Sequence, residues 1–197
     1  MKPSKRLPQE QRRQQIIQKA MELINDEGFA AFTTRRLAKK VGISEPALYR
    51  HFENKDDIII NVILELDKFW LRVERELYDI QEPKERVCHF IMSHFKHLSQ
   101  NPNGTAILFA EEYIRLEEDI QSRVSNVITK RYIYLRRLIG ELLADKIICG
   151  ENEEAIALII MGSIRMTVQN WRNANYSYSL TRYGEDICCN LVNMLFR

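Results

Sequence analysis

The sequence predicts an all-α protein on three observations. Gly and Pro are scarce, seven and five in 197 residues, while Leu, Ile, Glu, Lys and Arg fill long stretches, the composition of helices. Apolar residues recur at three- and four-residue spacing, the period of an amphipathic helix. Period-2 runs bounded by Asn-Gly or Asp-Gly turns, the mark of strands and hairpins, are missing from the sequence. Apolar residues make up 45% of the chain, enough to build a core and to set disorder aside.

Bulk properties narrow the class. A chain of 197 residues makes one or two compact domains. No apolar run reaches the roughly 18 residues of a membrane span; the longest, 155–161, is closed by Gly162, Ser163 and Arg165. The basic start leads on to Gln and Arg rather than to a signal-peptide core. Cys88, Cys149, Cys188 and Cys189 lack CxxC spacing and the density of a secreted scaffold. They read as reduced thiols of a cytosolic protein, with Cys88 and Cys149 as small core residues. Charge is uneven: residues 1–55 carry twelve Lys/Arg and six Asp/Glu, residues 56–197 seventeen and twenty-one. A head of +6 and a body of −4 give the chain its +2. That asymmetry points the head, and not the body, at a polyanion.

The first helix is expected over 9–27, where Ile16, Ala20, Leu23 and Ile24 form one apolar stripe and Gly28 follows as a left-handed cap. Phe29 and Phe32 add apolar mass to the connection. Thr33 or Thr34 caps a second helix over 35–41, with Leu37, Ala38 and Val41 inward and Gly42 at its end. Ser44 then caps a third helix over 45–52, whose first turn accommodates Pro46. Two turns do not survive alone in water, so Leu48 and Phe52 must anchor it on the first two helices. Helix, three-residue turn, helix is the spacing of a helix-turn-helix. Glu45, Ala47, Tyr49, Arg50 and His51 are left outside. Short or polar side chains at the start of such a helix reach base edges in a major groove, and the tips of Tyr49 and His51 suit phosphates. Tyr49 as a core aromatic and His51 as a packing or capping histidine are the alternatives. Asn54 caps the next helix and Lys55 adds a cation at its start.

The run Thr33-Thr34-Arg35-Arg36-Leu37-Ala38-Lys39-Lys40-Val41-Gly42-Ile43-Ser44-Glu45-Pro46-Ala47-Leu48-Tyr49-Arg50-His51-Phe52-Glu53-Asn54-Lys55 resembles the signature of the tetracycline-repressor (TetR) family of transcriptional regulators. The resemblance covers residues 10–60; beyond them only size and helical layout match. It implies a homeodomain-like, three-helix DNA-binding domain over 1–55 and a helical ligand-binding and dimerisation domain over 56–197, with about nine helices in all. It puts Thr34, Tyr49, His51 and Lys55 on phosphate-contacting positions, and Arg35, Glu45, Pro46 and Ala47 on positions that face bases. Arg35 is the candidate for a bidentate contact to guanine, worth about 1–3 kcal/mol of discrimination. A carboxylate at Glu45 either accepts from a cytosine amine or repels phosphate. Ser44 and Arg50 complete the expected DNA-contacting set.

A fourth helix is expected over 55–78, with Ile59, Val62, Ile63, Leu66, Trp70 and Val73 along one side, and Pro83 marks a boundary. Further helical segments follow near 84–100, 103–115, 118–147, 152–174 and 181–196. Asn152 caps the segment at 152–174, and its stretch 155–161 is apolar all round, so more than one face must be covered. Ile187, Leu191, Met194 and Leu195 form a stripe in the last segment. The resemblance implies that these last two helices pair with those of a second copy as a four-helix bundle. Such a homodimer reads both halves of a palindromic operator in double-stranded DNA. The other reading is that they only seal the monomer core.

Candidates for an effector pocket are His94, His97, Tyr113, Tyr132, Arg165 and Gln169, with Tyr134 and Trp171 beside them. Apolar walls with a few polar tips suit a small molecule, although any helical core with hydrated edges has the same mixture. His94, His97, His89 and Cys88 raise the question of a metal, but no carboxylate sits at matching spacing, and no metal or other cofactor is expected. Gly-rich phosphate loops, HExxH and GxSxG are missing, so no enzyme is expected. The expectation is a cytoplasmic, nucleoid-associated repressor released from its operator by a small-molecule inducer. A DNA-bound structural or cell-division factor on the same fold, without an inducer, is the alternative.

Overall fold

The computed structural model describes residues 8–108 and 118–196. Nine α-helices run through them: α1 (Gln9–Glu27), α2 (Thr34–Val41), α3 (Glu45–Leu48), α4 (Lys55–Asp79), α5 (Pro83–Gln100), α6 (Pro102–Leu108), α7 (Glu118–Ala144), α8 (Glu153–Asn173) and α9 (Leu180–Leu195). A 3-10 turn, Phe29–Ala31, joins α1 to α2. No strand forms among the described residues; Ile148 and Phe196 make an isolated antiparallel bridge. The all-α class is the one the sequence predicts. The chain divides into two units, Met1–Leu66 with Asn103–Val124 and Asp67–Pro102 with Ser125–Arg197.

The first unit is built on capped, amphipathic helices. Ile16, Ala20, Leu23 and Ile24 of α1 are buried with Phe32, Leu37, Leu48, Phe52, Ile59 and Val62. Thr33, rather than Thr34, caps α2, its hydroxyl accepting from the Arg36 amide at 3.2 Å. Gly42 ends α2 at φ +81° and ψ 33°, its N–H donating to Ala38 O, a left-handed turn that a side chain would strain. Gly28 also has φ +81°, but with ψ 161° it sends the chain outward into the 3-10 turn instead of closing a left-handed cap.

The third helix is shorter than its sequence suggests, because the chain must reverse before Asn54. Past Leu48 the backbone tightens, with the N–H groups of His51 and Phe52 both donating to Leu48 O. Phe52 still reaches the core, 2% exposed. Asn54 Oδ1 accepts from the Asp57 amide at 2.8 Å and Asp57 Oδ2 from the Glu53 amide at 3.0 Å, a reciprocal cap that starts α4. Arg13 of α1 fastens this corner: it lies over the Phe52 ring, donates to His51 O and donates to Asn61 Oδ1.

In the second unit α5 packs along α9 and α8. Val87, Phe90, Ile91 and Phe95 of α5 are buried with Leu135, Leu138, Ile139 and Leu142 of α7, Ile160, Ile164 and Val168 of α8, and Leu180 and Val192 of α9. Gly184 makes the approach of α9 to α5 possible, since a Cβ there would stand 2.4 Å from Phe95 Cδ2. The stretch 155–161 is covered on one face only: Ile156, Ala157 and Ile160 are buried, while Leu158 and Ile159 are exposed. The cysteines correct the sequence reading. Cys149 is exposed, in the turn between α7 and α8 where helical spacing no longer applies, and Cys88 is half-buried. Cys188 is the buried thiol, pushed up to about 12 by burial with Cys88 beside it.

Candidate functional site

Two clusters of polar side chains stand out, one in each unit. In the first, Ser44 Oγ accepts from the Ala47 amide at 3.3 Å and so fixes the start of α3 on the surface. Arg35, Ser44, Pro46, Tyr49 and Arg50 are exposed, and Thr34, Glu45, Ala47 and Lys55 are half-buried. Tyr49 is 46% exposed, which sets aside its reading as a core aromatic. Its hydroxyl donates to Thr34 Oγ1 at 3.3 Å, and Thr34 in turn donates to Glu45 Oε1 at 2.5 Å. Three of the side chains singled out from the sequence are thus linked in one chain of hydrogen bonds across α2 and α3.

The cations of this unit have different settings. Arg36 is held by Glu27 and Lys40 by Asp26, so both are neutralised in place. Lys55 lies over the rings of Phe29 and Phe32, 5.8 Å from each centroid. His51 is half-buried, and its Nδ1 is buried without a hydrogen-bond partner. Burial, with the Arg12, Arg13 and Arg50 guanidiniums, pulls its pKa below the ordinary histidine value, which favours the neutral ring. Arg13, which props this corner from beneath, escaped the sequence reading; its place on the inner side of α1, one turn before Ile16 and Ile17, is the only signal for it.

The second cluster is buried. His94 is 5%, Arg131 6% and Asp67 8% exposed, and His97 is half-buried beside them. Asp67 Oδ2 accepts from Lys130 Nζ at 3.4 Å. Aromatic rings flank the histidines: His97 stacks on Phe69 at 3.8 Å between centroids, and the His94 ring lies 4.7 Å from Phe90 and 5.8 Å from Trp70. The Arg131 guanidinium lies 5.8 Å from the Trp70 ring centroid. His94 Nδ1 pairs with Phe90 O at 2.7 Å, so that nitrogen carries the proton and Nε2 is an acceptor. Asn101 Nδ2 approaches His97 Nδ1 at 3.4 Å, which leaves the proton on His97 Nε2. Both Nε2 atoms and Asp67 Oδ1 are buried without a hydrogen-bond partner. Burial, reinforced by the Arg131 charge, lowers the His94 pKa to about 3 and that of His97 to about 4. Arg131 is lowered to about 10 by burial, against which Asp67 acts.

His94 and His97 were predicted; Asp67 and Arg131 were not. Each lies inside an apolar stripe, Asp67 between Ile63 and Trp70 and Arg131 four residues before Leu135, and a charge in such a stripe is the signal that was available. Tyr134 packs on the same rings, 5.6 Å from Trp70 and 6.2 Å from Phe90 between centroids, while the remaining candidates differ from this cluster in character. Tyr132 is half-buried, Arg165 is exposed, and Gln169 donates to Asn173 Oδ1 at 2.9 Å. Trp171 is buried, with its Nε1 donating to Tyr178 O. Tyr113 lies outside the described residues. Among the described residues no group of three or more His, Cys, Asp or Glu is placed to hold a metal ion, and no helix is long and apolar enough to cross a membrane.

A basic three-helix unit with a short, capped reading helix on its surface, joined to a larger helical body, defines a helix-turn-helix DNA-binding regulator. The chain belongs to the TetR family of bacterial transcriptional regulators: residues 16–62 match the family's DNA-binding model (bacterial regulatory proteins, tetR family), and residues 64–194 match a second model, YsiA-like protein, C-terminal region. The fatty acid metabolism regulator protein of Bacillus subtilis is 27% identical over 185 residues, 91% of this chain and 93% of its own. The nucleoid occlusion factor SlmA of Vibrio campbellii is 28% identical over 179 residues, 86% of this chain and 88% of its own. The crystal structure of the transcriptional regulator FadR from Bacillus subtilis in complex with stearoyl-CoA matches with a TM-score of 0.77 and 24% identity, over 92% of this chain and 98% of that one, a likeness of fold.

Proposed function

We propose that this regulator is a homodimeric repressor that occupies a palindromic operator and releases it when a fatty acyl-CoA binds its C-terminal region. The observation that carries the effector half is the buried cluster of Asp67, His94, His97 and Arg131. An acceptor at His94 Nε2 and a donor at His97 Nε2 are buried among Phe69, Trp70 and Phe90, and Asp67 Oδ1, an acceptor, is buried near Arg131; all three lack hydrogen-bond partners. Each such group costs about 1–3 kcal/mol while it stays unsatisfied, a cost that a polar ligand group removes. Apolar walls with a few converging polar atoms suit a ligand with a long hydrocarbon part and a polar junction. The relatives supply the chemical class: a fatty acid metabolism regulator in sequence, and a FadR holding stearoyl-CoA in fold.

The DNA half draws on the exposed start of α3 and on Arg35 and Arg50 beside it. Two-fold pairing is supported by Leu158, Ile159 and Met166 on α8 and Tyr183 and Met194 on α9, between 50% and 76% exposed. An apolar set of that size on the last two helices suits an isologous contact with a second copy.

A duplex selected by the full-length protein from a randomised pool, titrated with stearoyl-CoA, CoA and stearate, tests the reading. Stearoyl-CoA is expected to lower duplex affinity about tenfold or more, within the usual range of coupling between two sites. CoA alone should leave it unchanged. Failure of every acyl-CoA from short to long chain, with sequence-selective binding intact, would exclude the inducer. The second reading, a DNA-bound factor without one, would then stand, and the likeness to the nucleoid occlusion factor favours it.

A further inference from the structure

The hydrogen-bond chain over α2 and α3 has a direction. Tyr49 gives its only hydroxyl proton to Thr34, and Thr34 gives its only hydroxyl proton to Glu45. Neither hydroxyl therefore has a proton to offer a phosphate while Glu45 keeps its place as the end acceptor. Glu45 itself sits in the first turn of the reading helix, on the side that carries exposed Ser44, Pro46 and Tyr49. A carboxylate brought against duplex DNA there meets two opposite forces. Phosphates repel it, and the exocyclic amine of cytosine or adenine in the major groove donates to it.

We propose that Glu45 is a specificity-determining residue that works through this relay. Its carboxylate keeps the Thr34 and Tyr49 protons turned inward until a base amine replaces Thr34 as its donor, and both hydroxyls then turn to phosphate. The inference rests on the DNA half of the reading above and deepens it. Backbone contacts, which by themselves carry no sequence information, become conditional on a base. On a duplex without an amine at that place the hydroxyls stay tied and the carboxylate remains an uncompensated negative charge against the backbone. Low affinity for unrelated DNA is thus built in by repulsion, and not only by the lack of attraction.

Two variants of the full-length protein separate this relay from plain phosphate contact. Glu45→Gln keeps an oxygen for Thr34 to donate to and removes the charge, so it should melt with the wild type. Tyr49→Phe removes the outermost proton. Each protein selects duplexes from a pool with a random core of about 20 base pairs, two helical turns. Affinities are then measured on the wild-type consensus and on a scrambled duplex of the same composition. Glu45→Gln is expected to bind the scrambled duplex about tenfold more tightly and to lose about tenfold in operator preference, close to the value of one base contact. Its consensus should shift at one base pair of each half-site toward adenine, which an amide reads through N6 and N7. Tyr49→Phe should weaken the consensus complex and leave the scrambled one nearly unchanged.

Equal weakening of both complexes by Tyr49→Phe overturns the relay, because the hydroxyl would then reach phosphate regardless of sequence. An unchanged consensus and unchanged scrambled-duplex affinity in Glu45→Gln overturns the role of Glu45. A wild type that selects no consensus at all overturns the regulator reading itself, and the relay with it.

Discussion

In the first unit Thr33, Ser44 and Asn54 stand at helix ends on the surface and accept from the amides of Arg36, Ala47 and Asp57. In the second unit His94 and His97 lie among aromatic rings, Asp67 is buried, and each of the three has a buried atom with no hydrogen-bond partner. The same kind of side chain does opposite work in the two places. Caps stabilise short helices that must keep one shape on DNA. Unsatisfied interior groups reduce stability and leave a place where another molecule adds more than the fold supplies. The head uses its polar groups at helix ends, and the body keeps several of its own buried without partners.

Substitution within the buried cluster should have the largest effect. Asp67 is the charge that acts against the desolvation of Arg131. Asp67 also pairs with Lys130 at 3.4 Å. Replacing it with Ala removes the opposite charge from beside a guanidinium that is 6% exposed, and removing one partner from buried opposite charges costs up to about 3–5 kcal/mol. The double change Asp67→Leu with Arg131→Leu removes both charges and should recover most of that loss. Urea unfolding of the three proteins measures it. A loss below about 1 kcal/mol for Asp67→Ala, the size of a surface pair, would mean that the cluster is better solvated than its burial implies and would erase the contrast.

The head answers with a core substitution. Leu48, 0% exposed, is the one buried side chain of the four-residue α3. Leu48→Ala should cost about 3 kcal/mol and abolish duplex binding, because Leu48 is the buried anchor within α3 itself and Phe52 holds only the turn that follows. Effector binding to the body, followed by calorimetry, should survive. Loss of both together would show that the two units do not fold independently of one another.

Acid provides a finer comparison. His94 takes a proton at about pH 3 in the folded protein and near 6.5 in the unfolded chain. Below pH 6.5 the unfolded state therefore binds a proton that folding must expel, and stability is full above 6.5 and falls as the pH drops. The loss from His94 is about 1.4 kcal/mol per pH unit. His97, also lowered, adds a share reduced by its partial exposure to solvent. Denaturation at pH 5.5 and 4.5 should show this slope in the wild type and a markedly smaller one in His94→Gln. An unchanged slope would place the titrating groups elsewhere.

How much of this was legible in the sequence differs between the units for a physical reason. Helix ends are local: Ser44 and Asn54 announce themselves by position, and the starts of α3 and α4 follow from them. The shortness of α3 was not legible, since 45–52 keeps a helical spacing while the chain turns early to reach the Asn54 cap. In the body, His94 and His97 could be named because both lie on one helix, four positions or fewer apart. Asp67 and Arg131 come from α4 and α7, and no spacing along the chain links residues that only packing brings together. Cys149 failed for the converse reason: an apolar neighbourhood in sequence proved to be a surface turn.

The smallest effect tests the head's side of the comparison most directly. The Ser44 side chain contributes to α3 through one hydrogen bond, its Oγ accepting from the Ala47 amide at 3.3 Å. Ser44→Ala should lower stability by about 1 kcal/mol, and Ser44→Gly by only a few tenths, because Gly is a fair cap residue through its backbone alone. Duplex affinity should fall by more than stability does, since α3 is a single turn and the loosened amides sit beside Glu45, Pro46 and Ala47. A thermal melt and a duplex titration on the same two variants give both numbers. If Ser44→Ala loses affinity only in proportion to the fraction unfolded, the cap serves folding alone, and the rigidity of the reading helix must come from Leu48 and Phe52 beneath it.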